Sequence, residues 1–361
     1  MQPFLPQKIF IDQKVVGLPL TQRVLSYFNH VPVEFIENTD LFKKPLPHSE
    51  AKKILLVTSH KGEVLKTCQG LGDYVCCNYR TITLVSNCHF ECTYCILQDY
   101  LKNNPVMTIY ANVNEILAEV KTQALSNPET LFRIGTGELS DSLALDSITQ
   151  FSRDLIPFAA SLDNVILELK TKSNQVENLL DLNHKRKTVI AWSINPSDYA
   201  KEEELKCASI EERLNAARLV SDHGYPIAFH LDPLLAFPDW KTQYTGLVEL
   251  LKKKFLGPEI AWFSLGSLRY TPHLQKIIPE RFPKSRLLTG ELFPTDDGKI
   301  RYFREIREEL YHFVKNLLDE AFGDVPSYLC METEKVWKRV MKTVPENTGV
   351  LEQKIVSHFY V

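Results

Sequence analysis

Eight residues, Cys88-His89-Phe90-Glu91-Cys92-Thr93-Tyr94-Cys95, carry three cysteines in a C-x3-C-x2-C run. The run directly follows Thr81-Ile82-Thr83-Leu84-Val85-Ser86, an apolar, β-branched segment that reads as a buried strand. Three thiolates on one short loop are soft donors suited to three irons of a cubane, whose remaining iron then stays open to a small chelator. A structural zinc site is the alternative, and it needs a further ligand. His89 is the nearest candidate, but it lies inside the loop, badly placed to close a tetrahedron, and no second C-x2-C pair exists in the chain.

The rest of the composition bounds the setting of this loop. At 361 residues the chain is long enough for one large α/β domain and a smaller one. Its 44% hydrophobic and 24% charged residues are those of an ordinary globular protein. No run of about 18 uncharged apolar residues is present, so no transmembrane helix is expected. The start, Met1-Gln2-Pro3-Phe4-Leu5-Pro6, lacks a basic segment followed by an apolar one, so the expected location is the cytoplasm. There the eight cysteines stay reduced, which suits an oxygen-sensitive cluster. A net charge of −3 speaks neither for nor against nucleic acid; only local charge can.

In chain order, residues 1–78 read as a small α/β unit, with a strand from Lys8, a helix over Thr21–Phe28 and a buried strand at Ile54–Thr58. Cys68, Cys76 and Cys77 follow no metal-ligand spacing. From Tyr79 strands and helices alternate, which predicts a parallel sheet or barrel. The strands are Tyr79–Ser86, Leu131–Ile134, Val165–Leu169, Val189–Ile194, Ile227–Asp232 and Ile260–Leu265. Asn114 is the expected N-cap of the helix after the cysteine loop, and Ser209-x-x-Glu212 is a capping box with Gly224 closing that helix. Six strands at this rhythm fit a partial (β/α)6 barrel over residues 79–270, followed by a C-terminal extension over 271–361. In such barrels the chemistry gathers at the C-terminal strand ends. The polar residues there are Cys88, Cys92, Cys95, Glu138 to Asp141, Lys172, Ser193 and Asp232, although Ser140 and Asp141 read equally well as caps of a helix near Leu143.

These residues resemble the spore photoproduct lyase family of radical S-adenosylmethionine (SAM) proteins. The likeness runs through Lys61-Gly62, Thr67-Cys68, Cys95-Ile96-Leu97-Gln98, Ser140-Asp141, Glu168-Leu169-Lys170-Thr171-Lys172-Ser173-Asn174, Trp192-Ser193-Ile194-Asn195-Pro196, Gly224-Tyr225 and Asp232-Pro233. The resemblance implies a partial TIM-type barrel and a [4Fe-4S] cluster held by Cys88, Cys92 and Cys95. It further implies SAM chelating the open iron, contacts to SAM from Ser140, Lys172 and Ser193 with Asp232 nearby, and Tyr94 beside the adenosyl group. It implies a one-electron donor such as flavodoxin or ferredoxin, and cleavage of SAM to a 5′-deoxyadenosyl radical that takes a hydrogen atom from substrate. In the family's lyases the substrate is a methylene-bridged thymine dimer in DNA, and a cysteine assisted by a tyrosine quenches the product radical. Here Glu138 stands in place of that cysteine and Ile96 in place of the tyrosine. A carboxylate O–H is far too strong to donate a hydrogen atom as a thiol does, so either another group quenches or the substrate differs. Glu138 follows Gly137 and also resembles the acidic element that binds the SAM amino group in many radical SAM enzymes; the alternative is a substrate-facing acid or base.

Between Arg269 and Arg307 basic residues outnumber acidic ones. Lys299, Arg301, Tyr302 and Arg304 follow the turn Asp296-Asp297-Gly298, which suggests a cationic hairpin able to track phosphates with an aromatic for stacking. This loosely resembles the family's DNA-contacting hairpin. The competing reading is the solvated start of a helix with i,i+4 ion pairs. The expectations are therefore a radical SAM lyase acting on DNA lesions, the same chemistry on a non-DNA substrate, or a zinc-stabilised nucleic-acid-binding module without catalysis. Cys207 and Cys330 receive no place from the sequence.

Overall fold

The structure, a computed structural model, describes residues 1–68 and 74–359. Its contacts divide the chain into two units: Met1–Thr67, Arg80–Phe90 and Leu97–Thr188 in one, Cys68–Tyr79, Glu91–Ile96 and Val189–Val361 in the other.

In the first unit, Lys8–Asp12 lies between the parallel strands Val33–Ile36 and Ile54–Thr58, and Ile54–Thr58 pairs in parallel with Met107–Tyr110. Phe10, Phe42, Leu56 and Val106 form the apolar cluster on this sheet. Val85–Ser86 joins it by antiparallel pairing with Thr108 and Ile109. The segment expected as one strand over Tyr79–Ser86 is therefore two. Arg80–Ile82 leaves this sheet and pairs in parallel with Phe132–Gly135, which pairs in parallel with Val165–Thr171. The apolar run Val165-Ile166-Leu167 is buried, as expected of a parallel strand covered on both faces. Arg133 and Glu168, on adjacent strands, form an ion pair at 3.2 Å with both side chains 1% exposed.

In the second unit, Thr188–Ser193, Ile227–Leu234 and Ile260–Ser267 run parallel, each strand alternating with a helix. A further parallel strand, Ser327–Leu329, follows the long helix Arg304–Phe322. Three residues give no readable period, so the sequence did not announce it. Arg269–Tyr270, Ile300–Tyr302 and Leu292–Pro294 make a separate antiparallel sheet, its hairpin turning at Gly298 with φ +74°. Among the described residues no helix is long and apolar enough to cross a membrane.

Helix starts follow the local chemistry. Ser209 accepts from the Glu212 amide while the Glu212 carboxylate accepts from the Ser209 amide, the expected reciprocal cap. The helix after the cysteine loop is a correction: it begins at Val113, with Asn112 rather than Asn114 at the N-cap. Asn112 makes no side-chain cap because it accepts from His60 N–H at 2.7 Å and donates to Glu115 at 2.8 Å. Ser209→Ala is expected to lower stability by about 1 kcal/mol, read from urea unfolding with the slope unchanged.

Candidate active site

In the first unit, the loop after Phe132–Gly135 lies against the end of Val165–Thr171. Asp141 is the staple: its buried carboxylate accepts from the Thr171 hydroxyl and Lys172 N–H at 2.6 Å each, and from the amides of Leu143 and Ala144 at 3.0 and 2.9 Å. Burial pushes its pKa up, and these donors pull it back. Asp141 thus does cap the following turn, and it also fixes the backbone on which Ser140 and Lys172 sit. The Ser140 hydroxyl is buried with no partner in the protein, the condition of a donor whose partner is a ligand. Glu138 accepts from the Thr81 hydroxyl at 2.7 Å. Cys88 is buried, its N–H donating to Asn87 Oδ1 at 2.7 Å. Asn87 sits at φ +71°, a left-handed position that asparagine tolerates. His89 turns away, its ring between Phe4 and Phe90 and its Nε2 3.3 Å from the Gln2 carbonyl.

In the second unit, Glu91–Cys92 forms a short antiparallel ladder with Glu204–Leu205, Cys92 opposite Glu204. Thr93 N–H donates to the Glu203 carbonyl at 2.9 Å and the Thr93 hydroxyl to the Glu203 carboxylate at 2.5 Å. The Tyr94 hydroxyl donates to Glu204, which also accepts from Asn195 at 3.0 Å and pairs with Arg213 at 2.5 Å. Arg213 in turn donates to the Ser193 and Ala208 carbonyls, both at 2.9 Å. The Glu204 and Arg213 side chains are 0% exposed. Burial, then the Glu204 carboxylate, hold the Tyr94 phenol well above its ordinary pKa, so it stays a donor. Cys207, unplaced by the sequence, has its Sγ 3.7 Å from Cys92 Sγ.

Register pairs Ser193 with His230, His230 with Ser264, and Ser264 with Tyr328, a buried polar row on one face of the sheet. Asp232 stands further along its strand, its two oxygens each 3.0 Å from Arg269 nitrogens. Gly266 is what lets this pair close: a Cβ there would lie 2.6 Å from Asp232 Oδ1 and 2.9 Å from Arg269 Nη1. Cys330 follows the last parallel strand, 3.7 Å from Arg269 Nη2.

The hairpin residues are placed differently from a surface cation patch. Arg301 is 2% exposed and donates to Asp297 at 2.7 Å and to the Met331 carbonyl at 3.2 Å. Tyr302 is buried, its hydroxyl accepting from Ala236 N–H, and burial raises its pKa to about 12. Lys299 is half-buried beside Asp297, and Arg304 pairs with Glu305 and Glu308. The large side chains this sheet exposes are Phe293 and Phe303, ring centroids 5.6 Å apart.

A family model for spore photoproduct lyase matches residues 4–322. The chain belongs to the spore photoproduct lyase family. Curated relatives named spore photoproduct lyase include one from Geobacillus sp., 26% identical over 312 residues and covering 84% of this chain and 88% of the relative. Another, from Bacillus subtilis, is 27% identical over 311 residues, covering 83% of this chain and 87% of the relative. Among solved structures, a spore photoproduct lyase complexed with dinucleoside spore photoproduct superposes with a TM-score of 0.81 at 23% identity. A mutant spore photoproduct lyase with bound AdoMet and the same dinucleoside gives 0.80; each match covers 91% of this chain and 100% of the other. This likeness shows the fold, a mixed α/β partial barrel shared with those spore photoproduct lyases.

The three cysteines of the run are soft thiolate donors on one loop, the donor chemistry an iron–sulfur cluster takes. Gly266→Ala is expected to cost about 1–3 kcal/mol by forcing Asp232 and Arg269 apart. Gly246→Ala, in a helix with open space around it, gains about 0.5–1 kcal/mol instead; urea unfolding of both variants checks the pair.

Proposed function

We propose that this chain is a radical SAM enzyme that repairs spore photoproduct, the methylene-bridged thymine dimer, in DNA. The observation that carries the reading is a family match spanning residues 4–322 that contains the three-cysteine loop. Cys88, Cys92 and Cys95 would hold a [4Fe-4S] cluster. Bound there, the reduced cluster and SAM supply the 5′-deoxyadenosyl radical that takes a hydrogen atom from the lesion.

The protein's own residues orient and enclose this chemistry. The unpartnered Ser140 hydroxyl and cationic Lys172 suit the methionine carboxylate, with Asp141 tying together the two loops that carry them. Ser193 ends a strand fixed by Arg213. Tyr94, its hydroxyl tied to Glu204, would lie beside the adenosyl group. Asp232 serves by holding Arg269. Glu138, braced by Thr81, would bind the SAM amino group. A lesion inside duplex DNA has to be extruded to reach such a site, and the hairpin bearing Lys299, Arg301, Tyr302 and Arg304 is the surface offered to DNA. Arg301 and Tyr302 are spent internally and support the hairpin, and Lys299 and Arg304 would exchange Asp297, Glu305 and Glu308 for phosphate. A flavodoxin or ferredoxin delivers the electron in the cytoplasm. Glu138 and Ile96, where the family's lyases carry cysteine and tyrosine, favour a second reading: the same radical chemistry on a substrate other than DNA.

After anaerobic reconstitution, Cys92→Ala is expected to lose the brown cluster absorbance and to reduce SAM cleavage to background; retained cleavage contradicts the cluster assignment. Wild-type protein given dinucleoside spore photoproduct is expected to release thymine residues together with 5′-deoxyadenosine. SAM cleavage that leaves the photoproduct intact would transfer the reading to the non-DNA substrate.

A further inference from the structure

Cys207 lies outside the C-x3-C-x2-C run yet meets a member of it. Its Sγ stands 3.7 Å from Cys92 Sγ, a separation at which one thiol donates to the other sulfur. The contact is built by the backbone. Glu204 and Leu205 pair with Cys92 and Glu91, the Thr93 amide is tied to the Glu203 carbonyl, and Lys206 adopts φ +66°, turning the chain back so that Cys207 follows directly. The Cys207 amide donates to the Glu204 carbonyl at 3.4 Å, and Arg213 anchors Glu204 beneath it. One strap of five residues, Glu203 to Cys207, therefore holds the backbone of the middle cysteine and also meets its sulfur.

We propose that Cys207 donates an S–H hydrogen bond to the Cys92 sulfur and thereby raises the reduction potential of the cluster that Cys92 ligates. The assignment rests on the cluster reading above. A ligating cysteine is a thiolate, so of the two sulfurs only Cys207 retains a proton to donate. A hydrogen bond to a ligand sulfur withdraws negative charge from it and favours the more negative, reduced cluster; such bonds are among the levers that set iron–sulfur potentials. Cys207 acts through Cys92, as a positioning and tuning residue.

The test compares wild type, Cys207→Ala and Cys207→Ser, each reconstituted anaerobically and titrated for iron and sulfide before redox titration followed by electron paramagnetic resonance. Cys207→Ala, which removes the donor, is expected to shift the potential negative. The shift should lower the ratio of reduced to oxidised cluster at a fixed applied potential by roughly tenfold, equivalent to about 59 mV for a one-electron couple. Cys207→Ser keeps a hydroxyl donor and is expected to stay near wild type. Unchanged potentials in both variants overturn the proposal. So does loss of iron from Cys207→Ala, which would make Cys207 a ligand. Should that variant fail to fold, wild type exchanged into heavy water decides alone: an exchangeable deuteron on the Cys207 sulfur magnetically coupled to the cluster supports the bond, and no such coupled deuteron overturns it. A wild type that takes up no iron at all defeats the cluster reading itself, an outcome distinct from these.

Discussion

The buried pair of Glu204 and Arg213 is the constraint on which the second unit's share of the site depends. Two charges with no exposed surface are stable only while each satisfies the other, and removing one partner of such a pair typically costs about 3–5 kcal/mol. Glu204 also receives Tyr94 and Asn195, and its backbone pairs with Cys92. Arg213 reaches the carbonyl of Ser193 at the end of its strand. A single ion pair thus fixes a cluster-loop backbone, an aromatic side chain and a strand end together. Such a site needs this fixity, because a radical generated in a loosely held pocket attacks whatever lies nearest.

Asp141 plays the corresponding part in the first unit, by a different route. It gathers four donors from two loops and so holds Ser140 and Lys172 on a backbone that cannot drift. The buried Ser140 hydroxyl without a protein partner is then a preorganised donor rather than a packing defect. Asp232 belongs to the same logic: its carboxylate is occupied by Arg269, made possible by the missing side chain at Gly266, so it acts by fixing the guanidinium.

Much of this was legible in the sequence, and the reasons it was or was not are local. The long apolar strands at Val165, Thr188, Ile227 and Ile260 carry their period in their own residues, as does the Ser209–Glu212 cap. The cysteine run is visible because spacing on one loop is a property of the chain itself. Pairings formed across long separations are not written that way. Nothing near Cys207 announces that 115 residues separate it from its sulfur partner, and nothing near Arg301 says that Asp297 and the Met331 carbonyl will consume its guanidinium. Adjacent residues Arg301 and Tyr302 are both buried because the short sheet is covered on both faces, which alternation cannot reveal. That the N-cap position falls at Asn112 rather than Asn114 follows from Asn112 being held by His60 and Glu115, contacts its own sequence does not show.

The central claim is that the three-cysteine loop presents a cubane with one iron free for SAM, and Mössbauer spectroscopy of the anaerobically reconstituted, iron-57-enriched protein tests it most directly. The account predicts a cubane spectrum in which a single iron site changes its parameters when SAM is added. A spectrum that SAM leaves unaltered, or a preparation that binds zinc in place of iron, would contradict it.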